Sequence, residues 1–118
     1  MITATISVDR DKREFSLSVT GHAGYAEEGK DIVCASASIL TYTLAQIVLL
    51  ADEDGELAET PTVDLESGDA TISFRSKNDE IFAKMSHTIF TISVGYRLLA
   101  QEHPQYVKLF IDGRDFSP

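Results

Sequence analysis

The run from Ile32 to Ala51 carries no charged side chain. A stretch that long and apolar either crosses a bilayer or forms the central helix of a core. Ser36, Ser38, Thr41, Thr43 and Gln46 interrupt it, and no basic cluster flanks it. The expectation is therefore a core helix and no membrane span. Its apolar residues fall on nearly all faces of the helical repeat, which predicts packing on more than one side.

The remaining chain is patterned to cover such a helix. Ile2, Ala4, Ile6 and Val8 alternate with Thr3, Thr5 and Ser7, and Phe15, Leu17 and Val19 alternate with Ser16, Ser18 and Thr20. Both read as strands with one buried face, joined through a charged turn at 9–13. Residues 62–66 and 70–74 form a second hairpin around Ser67-Gly68-Asp69. Ser76 to Asp79 offers capping residues for a second helix, whose stripe is Ile81, Met85, Ile89, Ile92, Tyr96 and Leu99. Pro104 closes it, and Tyr106 to Ile111 is a last strand. The predicted fold class is α+β: a mixed sheet of about five strands with two main helices, in the order ββαββαβ. With 118 residues, 43% of them hydrophobic, and no repeat or linker, residues 1–118 read as one domain with a core of its own.

Charge and cysteine count narrow the function. A net charge of −9 argues against nucleic-acid binding and is compatible with a basic protein partner. One cysteine excludes an internal disulfide and a paired-cysteine metal site, and fits a reducing compartment, the cytoplasm. The N-terminus has no basic segment followed by an apolar run, so no signal peptide is expected. The acidic run Asp52 to Glu56 lacks the ligand spacing of a calcium loop. No metal or cofactor is expected.

The candidate chemistry gathers at the start of the long helix. Gly21 to Lys30 reads as a loop holding Gly21, Gly24 and Gly29, and its length and glycines suggest a mobile, functional segment with Gly21 as hinge. Asp31 reads as the N-cap of the helix that follows. That places Cys34 in the first helical turn, where unpaired N–H groups and the helix dipole favour a thiolate. A lone cysteine between Val33 and Ala35 also suits the ordinary role of a small buried hydrophobe. His22, at the exit of the second strand, is the histidine best placed to turn back toward Cys34. His87 and His103 read as surface and helix-end residues. Asp31 serves as cap or as the acid that orients His22. Ser38, one turn beyond Cys34, bonds either the sulfur, a substrate or the Cys34 carbonyl. Lys30 reads as solvated.

Gly21-His22-Ala23, followed by Gly29-Lys30-Asp31-Ile32-Val33-Cys34-Ala35 and Ser38, resembles the Prp family of ribosomal-processing cysteine proteases. The resemblance implies a small α+β homodimer with His22 as catalytic histidine and Cys34 as nucleophile, and Asp31 and Ser38 at the associated positions. It implies removal of an N-terminal extension from the precursor of large-subunit ribosomal protein L-twenty-seven. In phage-borne relatives the substrate would be a capsid or scaffold protein. A non-catalytic dimer that binds peptides is the alternative outside enzymology.

Overall fold

The structure, a computed structural model, describes residues 1–21 and 28–117, with residues 28–31 described by backbone alone. Strands β1 (Ile2–Asp9) and β2 (Glu14–Thr20) form the first hairpin. Its turn is held by the Lys12 N–H bonding Asp9 Oδ1 at 3.1 Å. Helix α1 (Glu28–Glu53) follows, then the hairpin of β3 (Thr62–Glu66) and β4 (Asp69–Arg75). Helix α2 (Asp79–Glu102), β5 (Val107–Ile111) and β6 (Arg114–Asp115) complete the chain.

The strands lie in the order β3-β4-β2-β1-β5-β6. All pairs are antiparallel except β1 with β5, which makes the sheet mixed. The expected order holds, with one addition. Two residues of β6, turned back by Gly113 at a φ of +81°, lengthen the sheet beyond the five strands predicted. A strand that short leaves no alternation to read.

The alternation places one sheet face in the core. Ile2, Ala4, Ile6, Phe15, Leu17, Ile72, Phe74, Val107 and Leu109 are buried, and they share one cluster with the inner faces of both helices. Phe15 stacks on Phe74 and on Phe82, with ring centroids 5.1 and 4.9 Å apart, joining the sheet to the first turn of α2. Asn78 caps α2, its side chain accepting from the Ile81 N–H at 2.9 Å. The His103 N–H closes the other end on the Leu99 carbonyl, one residue before Pro104.

Helix α1 departs from expectation twice. It begins at Glu28, so Asp31 lies inside its first turn and is not the cap. Cys34 is then in the second turn, not the first. Gly29 and the flanking charges read as loop on propensity, but backbone geometry continues the helix through them. Second, among the described residues α1 is packed on one side only. Val33, Ala37, Leu44, Ala45, Val48 and Ala51 are buried, whereas Ile32, Ile39, Tyr42, Leu49 and Leu50 are exposed. In a two-layer fold the helix has one sheet face and α2 as its neighbours, so among the described residues nothing covers its outer half. By length and composition Ile32–Glu53 is apolar enough to cross a membrane. In the fold, its inner face belongs to the core.

Candidate active site

A recess of about 210 Å³ opens between the N-terminal half of α1 and the sheet. Cys34 lines it, half-buried and packed against the core cluster, with Ala37, Ser38, Thr41 and Tyr42 following on the same helix. Their spacing from Cys34 of three, four, seven and eight residues is that of one helical face. The opposite wall is the β3–β4 turn, Glu66 to Asp69, and Ile2, Val19 and Ala70 complete the lining.

Gly21 lies in this wall and its backbone is fixed from two sides. Its N–H donates to the Gly68 carbonyl at 2.9 Å, tying the end of β2 to the β3–β4 turn. Its φ of +90° belongs to the left-handed region, and a Cβ there would collide with the Met1 carbonyl oxygen. The position expected to act as a hinge is thus an anchored one. The residue that follows it in sequence is His22. His22 and Gly24 lie outside the described residues, as do the side chains of Lys30 and Asp31.

Beneath the recess a buried polar latch joins the two helices. Thr41 Oγ1 donates to the Ala37 carbonyl at 2.8 Å and is hydrogen-bonded to the Tyr96 hydroxyl, which also lies 3.1 Å from that carbonyl. Burial pushes the Tyr96 phenol up to about 12, with the Thr41 bond working in the opposite direction. Next to it, Gly95 admits Leu40: a Cβ on Gly95 would stand 2.5 Å from Leu40 Cδ2. The segment of α1 that bears Cys34 and Ser38 is therefore seated against α2 with little freedom.

Two consequences bear on chemistry. Cys34 is an interior helical residue, so its own N–H belongs to the helix ladder and is not free to stabilise an oxyanion. Ser38 makes no hydrogen bond to any described residue, unlike Ser36, Thr41 and Thr43, whose hydroxyls bond back along α1. Ser38 lines the same recess as Cys34, one helical turn away. Of the residues lining the recess, Cys34, Ser38 and Gly21 were candidates from the sequence. Thr41, Tyr42 and the β3–β4 turn were not. Thr41 and Tyr42 were within reach, since both follow Cys34 at helical spacing. The turn reaches the site only through the pairing of β2 with β4.

A half-buried thiol in an open recess walled by a fixed turn is within reach of a bound substrate. The profile of the cysteine protease Prp family matches residues 1–108, and the chain belongs to that family of cysteine proteases. The ribosomal processing cysteine protease Prp of Bacillus subtilis (strain 168) is 40% identical over 50 residues, which span 42% of this chain and 45% of that protein. The protein of the same name from Staphylococcus aureus (strain Mu50) is 26% identical over 112 residues, spanning 92% and 97%. The fold matches a crystal structure of an essential ribosomal processing protease Prp from S. aureus in complex with a substrate peptide. That match has a TM-score of 0.63 at 24% identity and covers 94% of this chain and 99% of the other.

Proposed function

We propose that this cysteine protease removes the N-terminal extension from the precursor of ribosomal protein L-twenty-seven in the cytoplasm, with Cys34 as nucleophile. The observation that carries this reading is the position of the thiol. The chain has one cysteine, and it lines the recess between α1 and the β3–β4 turn. A cysteine protease of this sequence has no other thiol to use. Its relatives in Bacillus subtilis and Staphylococcus aureus are ribosomal processing proteases, which supports a ribosomal-protein substrate. The net charge of −9 suits a basic one.

In the proposed cycle the Cys34 thiolate attacks the scissile carbonyl. The tetrahedral adduct collapses to a thioester as the amine leaves with a proton from His22. Water, deprotonated by His22, then hydrolyses the thioester and restores the thiol. Asp31 orients His22 or holds its charge. Ser38 supplies a donor for the oxyanion, because its hydroxyl is unengaged by the described residues and stands one turn from the sulfur. The enzyme works as a homodimer. Support for this comes from α1 and α2, which expose Ile39, Tyr42 and Leu50, and Phe90, Val94 and Leu98, at helical spacing.

The test is cleavage of the L-twenty-seven precursor read by intact mass, wild type beside Cys34→Ala and His22→Ala. The expected result is loss of one defined N-terminal fragment with wild type and no cleavage with either variant, both keeping the wild-type circular dichroism spectrum. Full activity in Cys34→Ala overturns the mechanism. An intact precursor exposed to wild type with a readily alkylated thiol points instead to another substrate, first a phage structural protein.

A further inference from the structure

Helix α1 carries apolar side chains on both its inner and its outer face. The buried ones include the small residues Ala37, Ala45 and Ala51, whereas the exposed ones include the large residues Ile32, Ile39 and Leu50. Stabilisation by burial grows with apolar area, so that term alone does not select the inner face. Close approach is one part of the selection, since Gly95 on α2 leaves room for Leu40. The directional part is polar. Thr41 is the buried polar side chain of α1 among the described residues. Its Oγ1 and the Tyr96 hydroxyl are bonded to each other, and they reach the Ala37 carbonyl at 2.8 and 3.1 Å. Tyr96 is fully buried, so turning α1 away would strand its hydroxyl in the core without a partner. Apolar contacts slide at little cost, but a stranded buried donor is expensive.

Ala37 and Thr41 follow Cys34 by three and seven residues, so the latch grips the helical face that bears the thiol. Ala37 and Thr41 also line the recess with Cys34, whereas Tyr96 lies outside its lining. We propose that Tyr96 and Thr41 are positioning residues for the Cys34 chemistry: their bond, closed on the Ala37 carbonyl, fixes the rotation of α1 about its axis and so the direction in which the thiol enters the recess. This rests on the reading of Cys34 as nucleophile and goes beyond it by naming what aims the thiol. The two residues contribute unequally. The bond from Thr41 to Ala37 is internal to α1, so Tyr96 makes every cross-helix hydrogen bond of the latch.

The test uses the full chain and the peptide that wild type cleaves best from a degenerate mixture, under conditions where urea melts show every variant folded. Tyr96→Phe removes both cross-helix bonds and lowers kcat about 10- to 100-fold with KM nearly unchanged, the scale of a reacting group displaced by about 1 Å. Thr41→Val leaves Tyr96 the Ala37 carbonyl and lowers kcat less. Thr41→Ser keeps the hydroxyl and stays close to wild type. Thr41→Val added to Tyr96→Phe costs little more than Tyr96→Phe alone, because the two residues act through one contact. Asn78→Ala is the control: it uncaps α2 outside the recess lining, so it lowers Tm and leaves kcat as it was. A kcat for folded Tyr96→Phe no lower than that of Asn78→Ala, or a loss confined to KM, overturns this inference alone. Cleavage that persists in Cys34→Ala, or a wild type that cleaves nothing in the mixture, overturns the nucleophile reading and this inference with it.

Discussion

A methyl group at position 21 has nowhere to go. The Met1 carbonyl occupies its place, and the backbone is left-handed at that residue. Gly21→Ala is expected to lose about 1–3 kcal/mol of stability, read by urea unfolding. Peptide cleavage should fall further than that loss of folded protein explains, because the same residue anchors the β3–β4 turn. Tyr96 offers a second test. Its phenol is raised from 10.0 to about 12 by burial, so the fold favours the neutral form. That contribution is fully present below pH 10 and is lost as pH rises toward 12. Wild type should therefore lose stability across this window. Tyr96→Phe, less stable at pH 7 through loss of the Thr41 bond, should lose the tyrosine part of that slope. Thermal melts from pH 8 to 12 check both.

At the scale of elements, the helix pair does the positioning. Gly95 lets Leu40 approach, and Gly95→Val should push α1 off α2, lowering Tm and cleavage together. Asn78→Ala should cost about 1 kcal/mol by uncapping α2, with little effect on KM, since the cap lies outside the recess lining. Denaturant melts and peptide kinetics separate the two cases. The hairpins and α2 were legible because their signals are local: alternation in 2–8 and 15–20, and the cap at Asn78. The start of α1 was not, since Gly29 among charges reads as loop. Cys34 and Ser38 were legible as neighbours because four residues make one helical turn. The β3–β4 turn was not, because the pairings of β2 with β4 and of β4 with β3 bring it to the recess. The apolar outer half of α1 was legible as apolar. Whether it faced core or solvent depended on how many layers the fold has.

For the whole molecule, the exposed residues of the two helices set an expectation about assembly. Phe90→Glu with Leu98→Glu should convert dimers to monomers in analytical ultracentrifugation and leave the core unchanged, as both side chains point out of it. A wild-type chain that sediments as a monomer at micromolar concentration would sink the dimer. The sheet has a further property. Its centre joins the two ends of the sequence, β1 lying parallel to β5 with Ile2 opposite Val107 and Ile6 opposite Ile111. Chain emerging from a ribosome makes β1 first and must wait for nearly everything else before its partner exists. Until residues 107–111 are out, Ile2 and the Met1 carbonyl behind Gly21 are held from one side only. The recess therefore takes its final shape only once β5 has paired with β1.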